Sequence, residues 1–277
     1  MPELPEVERA ATLLRAAAVG HTILQVLALH PAIARTLTAS ATTFVVGRKI
    51  TSVQRRAKHQ LLHLDDGHVI EVHFKMTGDW AIGLEGDEDR PLERARITLD
   101  NGTRISLIDG RAFAVMRVHG PGELKLPELG PEPDDPSFTG EALQAAMSRK
   151  KKLPIKLALL DQRVVAGLGN IYVAEALWEA RVSPMVRAAS VSRTRCCELV
   201  RVIRQVLERA PAERYYDRDG RSLTGDTALS GMSDDAWRVY SREGQPCVRC
   251  QTLIRRIVQG ARSTFFCPKC QAKALRS

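Results

Sequence analysis

Over the first 120 residues the apolar positions fall in short runs behind one helical pattern. Pro5 suits a first helical turn, and Val7, Ala10, Leu13, Leu14 and Ala17 fall on one face. The spacing then predicts strands over 23–29, 50–55, 60–64, 69–74, 96–99 and 104–108. Turn signals at Asp65-Asp66-Gly67 and Asn101-Gly102 separate several of these runs. Regularly spaced strands with hairpin turns predict an antiparallel sandwich. A turn-rich stretch follows, Gly120-Pro121-Gly122 through Leu129-Gly130-Pro131-Glu132-Pro133, and after it the period becomes helical. Helices are predicted over 140–150, 154–160, 171–180 and 192–209, the last with Leu199, Ile203 and Val206 on one stripe. Residues 210–235 show no clear period and are rich in Asp, Arg, Gly and Ser. They read as a long loop, and loops of that length tend to be functional or disordered. The final segment sets cysteine pairs around a predicted hairpin, 253–258 and 262–266, with a Gln259-Gly260 turn. There is no internal repeat.

Composition narrows the class. The chain has 277 residues, 44% apolar and 26% charged, enough for two ordinary soluble domains. No stretch approaches ~18 uninterrupted apolar residues, so no transmembrane helix is expected. The N-terminus places Glu3, Glu6 and Glu8 where a secretory signal would be basic and then apolar, so a cytoplasmic protein is expected. Forty-one Lys and Arg against 32 Asp and Glu leave a net charge of +9, which points to a polyanionic partner. Aromatics at 5% argue against stacking platforms for single strands and leave duplex binding open.

Four of the six cysteines form Cys247-x2-Cys250-x16-Cys267-x2-Cys270, the spacing of two knuckles that present four thiolates to one zinc ion. A reducing compartment disfavours paired disulfides, and a redox Cys-x-x-Cys has no need of duplication. Cys196 and Cys197 are adjacent inside a helical pattern and read as ordinary helix residues.

Three further features carry chemistry. Pro2 follows Met1, so an aminopeptidase that removes the methionine would leave a secondary amine flanked by Glu3 and Glu6. With a reference pKa near ~8, such an amine is partly neutral and can attack a carbonyl carbon. The competing reading is simple helix capping by the same residues. Ala166-Gly167-Leu168-Gly169-Asn170-Ile171-Tyr172 is a Gly-rich turn opening a helix, either an anion site or a tight interhelical turn. It follows no predicted strand, which argues against a dinucleotide fold. Basic residues recur at Arg55-Arg56-Ala57-Lys58, at 149–152 ahead of Lys156, and at Arg255, Arg256 and Arg262. Each alone suits a solvated face; together they can neutralise several phosphates.

The opening Met1-Pro2-Glu3-Leu4-Pro5-Glu6-Val7-Glu8 resembles that of bacterial formamidopyrimidine-DNA glycosylases, within the formamidopyrimidine and endonuclease VIII family. The resemblance continues through Gln54-Arg55-Arg56-Ala57-Lys58, His73-Phe74-Lys75-Met76-Thr77-Gly78 and Leu129-Gly130-Pro131-Glu132-Pro133. It goes on through Leu160-Asp161-Gln162, Val164, the Gly-rich turn, and the four-cysteine finger with Thr264-Phe265-Phe266-Cys267. It implies an α+β protein: an N-terminal catalytic β-sandwich domain with a leading helix (1–120) and a linker (121–139). A helical domain with a helix-two-turn-helix (140–240) and a zinc-finger hairpin (241–273) complete it. It also implies a monomeric, nucleoid-associated bacterial enzyme, with one structural zinc, acting on damaged or abasic duplex DNA and not on membranes.

The resemblance implies residue roles as well. Pro2 attacks C1′ of the damaged nucleotide, and the resulting Schiff base undergoes β,δ-elimination. Glu3 is general acid and base at the sugar, and Glu6 helps hold that end of the site. Lys58 belongs to the catalytic set and, with Lys156, Asn170 and Arg262, to the DNA-binding set. Met76, Arg111 and Phe113 fill the gap left by the extruded base, which is flipped because its glycosidic bond is shielded in the stack. The chain departs from the family pattern at Asp109-Gly110-Arg111, where Pro or Val is usual between Asp and Arg, and at Ala114, usually Gly. The Gly-Gly-Thr-Thr-Leu-like stretch that caps a flipped oxidised purine is replaced by Ala210-Pro211-Ala212-Glu213-Arg214-Tyr215-Tyr216-Asp217, and Leu223-Thr224-Gly225 substitutes poorly for it. Two other readings use the same charge and finger: a non-catalytic binder of damaged DNA on this scaffold, and a zinc-containing transcription regulator that leaves the Pro-Glu pair idle.

Overall fold

A computed structural model describes residues 1–210 and 237–272, which group into two compact units, residues 1–126 and residues 127–210 with 237–272. The first opens with α1 (Leu4–Ala18), which has Pro5 in its first turn and Glu3 as N-cap. Its buried stripe is Val7, Ala10, Ala11, Leu14 and Ala18. Leu13 and Ala17, expected on that face, lie at its margin; the stripe turns towards alanines, whose small side chains let the helix sit close on the strands. Arg9 pairs with Asp79 at 2.8 Å, and Glu8 bridges Arg15 and Arg55, so α1 is tied to the strands along its length.

Ten elements follow in this unit. They are β1 (Ile23–Ala28), α2 (Pro31–Ala34), α3 (Ala39–Val45), β2 (Ile50–Arg56), β3 (His59–Leu64) and β4 (Val69–His73), then β5 (Asp79–Leu84), β6 (Glu93–Leu99), β7 (Thr103–Ile108) and β8 (Val115–His119). They build two antiparallel four-stranded sheets, ordered β1-β6-β7-β5 and β2-β3-β4-β8. Both sheets feed one core: Val26, Ile97 and Leu107 from the first, Leu62, Ile70 and Met116 from the second. The six expected strands are present. β5 and β8 were not expected: Asp79 and Gly83 break the alternation of the first, and the second opens on the adjacent apolar pair Val115-Met116 and buries only Met116. α2 and α3 also escape the periodicity; His30 Nδ1 and Thr38 Oγ1 accept N–H bonds at their N-caps.

The second unit holds α4 (Gly140–Ser148), α5 (Ile155–Leu160), α6 (Asn170–Glu179) and α7 (Arg193–Glu208), then the hairpin β9 (Arg255–Gln259) and β10 (Arg262–Phe266). Thr139 and Ser192 cap α4 and α7. Tyr172 is fully buried among the helices and meets Trp237 edge to face. The hairpin turn is Gly260-Ala261, at φ 54° and 58°, and not the expected Gln259-Gly260. Positive φ at both central positions is the type I′ turn that matches strand twist, and its first position is taken by the glycine, which adopts that conformation without steric cost. Burial pushes the Cys196 thiol up to about 11, and Cys197 is exposed; both are ordinary members of α7. The expected loop over 210–235 lies, past its first residue, outside the described residues. No described helix is long and apolar enough to cross a membrane.

Candidate active site and nucleic-acid contacts

In the first unit the start of α1 brings several of the expected site residues together. Glu3 is buried, and its backbone N–H donates to Glu6 Oε2 at 2.8 Å, half of a reciprocal capping box. Pro2 is buried beside it. Burial lowers the pKa of the Met1 amine, one residue ahead of Pro2; Glu3 and Glu6 oppose the shift, while Lys58 and Arg111 reinforce it. Four expected site residues from three segments thus share one electrostatic environment around the N-terminus. Lys58 reaches it from the two-residue turn between β2 and β3, where Ala57 takes φ 53°, and is itself largely buried. A lowered amine pKa raises the neutral fraction near pH 7, which is what an amine nucleophile needs.

Two loops carry the expected wedge. Met76 sits half-buried in the turn between β4 and β5. Gly78 closes that turn, and a Cβ there would stand 2.9 Å from the Phe74 backbone, so the close approach requires glycine. Arg111 and Phe113 lie in the loop between β7 and β8, and the Arg111 guanidinium stands 4.9 Å from the Phe113 ring centroid. Phe113 is 52% exposed, so it is not a core residue. Asp109, fully buried, builds this loop: its carboxylate accepts the N–H groups of Arg111, Phe113 and Ala114 and the Thr77 hydroxyl. Ala114 has negative φ and is buried, so the methyl group that replaces the usual glycine hydrogen is accommodated.

Sequence reasoning missed a polar cluster on the second sheet. Glu71 is buried, and its two oxygens face His59 Nδ1 at 2.7 Å and His119 Nε2 at 2.8 Å. Against the upward push of burial, these bonds hold the Glu71 carboxyl at about 2. The His59 ring meets His73 edge to face at 4.8 Å. Burial, then Lys75, His59 and Lys58, push His73 down to about 3, so it is neutral, and its Nδ1 accepts the Lys75 N–H. The available signal was a glutamate inside the apolar run Val69-Ile70-Glu71-Val72, which no strand buries without partners.

In the second unit the Gly-rich turn ends at Gly169, the N-cap of α6, with Asn170 as first helical residue. Asn170 Nδ2 donates to the Ser263 carbonyl at 3.0 Å, and Lys156 Nζ donates to the same oxygen at 3.1 Å. Lys156 is fully buried, whereas Arg262 is exposed. Of the basic run at 149–152, Lys150 is engaged with Asp161 at 2.6 Å, and Arg163 shares that carboxylate.

The four finger cysteines converge. Their sulfurs lie within 4.8 Å of one another, with Cys247 and Cys270 at 4.0 Å and Cys250 and Cys267 at 3.4 Å. A tetrahedral zinc with Zn–S bonds of about 2.3 Å holds its sulfurs about 3.8 Å apart, so this donor set fits one ion. The Cys270 N–H donates to Cys267 Sγ, and Gln271 accepts the Cys267 N–H, which orients the second knuckle. Four thiolates leave no open position, so the zinc is structural.

Comparisons with known proteins agree along the chain. Residues 1–116 match the model of the formamidopyrimidine-DNA glycosylase N-terminal domain. Residues 129–215 match that of the formamidopyrimidine-DNA glycosylase H2TH domain, and residues 244–273 the zinc finger found in FPG and IleRS. The chain is 39% identical over 286 residues to the formamidopyrimidine-DNA glycosylase of Paracoccus denitrificans, covering 98% of this chain and 100% of that one. It is 40% identical over 278 residues to that of Rhizorhabdus wittichii, with the same coverage. Among solved structures, the MutM (Fpg) protein of Thermus thermophilus superposes with a TM-score of 0.81 at 35% identity, covering 99% of this chain and 100% of that one. The Lactococcus lactis formamidopyrimidine-DNA glycosylase, solved bound to DNA containing an abasic site, gives 0.83 at 27% identity, covering 98% and 100%. The fold and site define a zinc-finger protein of the DNA-glycosylase class. The chain belongs to the formamidopyrimidine-DNA glycosylase family.

Proposed function

We propose that this chain is a base-excision-repair DNA glycosylase with abasic-site lyase activity, acting on oxidised or ring-opened bases in duplex DNA. The observation that carries the reading is the N-terminal amine enclosed with Glu3, Glu6, Lys58 and Arg111, in a chain of this family. Removal of Met1 by an aminopeptidase hands that environment to the Pro2 nitrogen. The neutral nitrogen attacks C1′ of the flipped nucleotide, and the glycosidic electron pair leaves with the base, which takes up a proton. Glu3 moves protons at the sugar and Glu6 steadies it through the capping box. The attached nitrogen gives up its proton and its lone pair opens the C1′–O4′ bond, O4′ taking a proton, which leaves an iminium at C1′. Loss of a C2′ proton then expels the 3′ phosphate by β-elimination, and loss of the C4′ proton expels the 5′ phosphate by δ-elimination. Lys58 in the first unit, and Asn170 and Arg262 in the second, grip phosphates, with Lys156 among the DNA-binding set. Met76, Arg111 and Phe113 fill the space the base leaves. A monomer in the cytoplasm, associated with the nucleoid while acting, suits this work.

Borohydride tests it. Reduction during reaction with abasic duplex should trap a covalent adduct, and Pro2→Gly or an N-terminal tag should greatly weaken trapping. Wild-type protein with verified loss of Met1 that binds but never traps would instead be a non-catalytic damage binder. The finer reading is lesion choice. The altered stretch from Ala210 to Asp217 lacks the Gly-Gly pair that permits close backbone approach to a base. A site that loses hydrogen-bonding groups loses discrimination more than basal chemistry. Abasic-site cleavage therefore persists, while 8-oxoguanine is excised weakly relative to ring-opened purines or oxidised pyrimidines. Single-turnover rates on each duplex decide this; 8-oxoguanine excision as fast as abasic cleavage contradicts it.

A further inference from the structure

Lys156 is the only charged residue of α5, and it is fully buried. An ammonium carries three N–H donors. Among the described residues its one hydrogen-bond partner is the Ser263 carbonyl, which Asn170 also engages. Ser263 is held a third time, its hydroxyl accepting from Arg256 Nε at 2.9 Å. Among the described residues, the charged groups on the surrounding elements offer Lys156 no counter-ion. On α6, Glu175 accepts the backbone N–H groups of Arg238, Val239 and Tyr240, and Glu179 pairs with Arg249. β9 contributes Arg255 and Arg256, and β10 contributes Arg262, one residue from the shared carbonyl. Burial, then the Arg262 charge, push the Lys156 ammonium down to about 8.

A buried cation without a counter-ion, beside a second cation, does not stabilise a fold. Replacing such a group by an apolar side chain of similar shape is commonly neutral or stabilising. The geometry gives the charge another use. The carbonyl it holds belongs to the residue that follows Arg262, at the start of β10, and its co-donor is Asn170 at the head of α6. We propose that Lys156 is a positioning residue of the DNA grip: by pinning the Ser263 carbonyl against Asn170 it sets Arg262 for its phosphate. This rests on the reading that Arg262 grips DNA, and it moves Lys156 from the DNA-binding set to the support beneath one of its members.

A double-mutant cycle on zinc-loaded protein, reading affinity for an abasic-analogue duplex at fixed salt, separates support from contact. Lys156→Met should fold with full zinc content and unchanged or higher Tm, and should bind roughly fivefold or more weakly. In an Arg262→Ala background the same change should cost less than about twofold, because the residue it supports is gone. Equal losses in both backgrounds would mean an independent contact and overturn the proposal. The second arm is pH. An anion at Arg262 favours the charged ammonium, so wild-type affinity should fall severalfold between pH 7 and 9.5, while Lys156→Met stays flatter. A wild-type affinity independent of pH over that range overturns the proposal even if Lys156→Met fails to fold. The outcome is separable from the proposed chemistry, since borohydride trapping can succeed or fail whichever way the cycle closes.

Discussion

Asp109→Asn is the sharpest structural perturbation of the loop that carries Arg111 and Phe113, the proposed wedge. The wild-type carboxylate accepts backbone N–H bonds from Arg111 at 3.1 Å and from Phe113 and Ala114 at 2.7 Å each, besides the Thr77 hydroxyl. The amide keeps one acceptor oxygen and turns an NH2 group towards donors. Hydrogen bonds to a charged acceptor contribute about 1.5–3 kcal/mol each, so losing two sums to roughly 3–6 kcal/mol. The loop is exposed at Arg111 and Phe113 and can open towards water, which brings the expectation to about 3 kcal/mol. For a unit of this size that is a fall of roughly 10 °C in Tm. Urea unfolding gives the stability, and titration with abasic-analogue duplex gives the function. Affinity should drop although Arg111 and Phe113 remain, because neither is held. A loss below about 1 kcal/mol with unchanged affinity would refute the assignment of Asp109 as organiser of this loop.

Zinc removal by strong chelation, or Cys267→Ser, should abolish duplex binding while the β-rich unit stays folded, since that unit has its own core; unchanged affinity after verified zinc loss contradicts this. Duplex affinity should fall steeply with salt, and Lys58→Ala should reduce the slope of log K against log salt by slightly under ~1; an unchanged slope removes Lys58 from the phosphate contacts. Glu71 has a folded pKa of about 2 against an ordinary 4.5, so its stabilisation is complete above pH 4.5 and is lost as pH falls towards 2. Denaturant unfolding from pH 2 to 7 should show Glu71→Gln less stable at pH 7, with the gap closing in acid; a constant gap contradicts the pairing.

What was legible in the sequence follows from how each feature is encoded. The sandwich strands and the long helices announce themselves through side-chain period, because one face of each is buried. The zinc centre is written in four cysteines at fixed spacing, and the structure gathers their sulfurs as that spacing implies. The short helices α2 and α3 are too brief to establish a period, β8 buries only Met116 and so shows no alternation, and β5 carries a buried aspartate that answers to Arg9 seventy residues away. The Glu71 cluster is likewise invisible locally: His59 and His119 arrive from neighbouring strands, so only the register joins them. Lys156 looked like part of a basic surface run because its neighbours at 149–152 are basic. α5 turns it inward, and sequence alone does not say which way a lysine at a helix start will face.

The central claim is that the Pro2 nitrogen forms the covalent bond to the sugar. Mass spectrometry of the borohydride-reduced adduct, after digestion with trypsin and nuclease, tests it directly. The account predicts that the modified fragment is the peptide from Pro2 to Arg9, without Met1, carrying the reduced sugar remnant on the Pro2 nitrogen. A remnant attached to Lys58, or an adduct on a chain that still carries Met1, would contradict it.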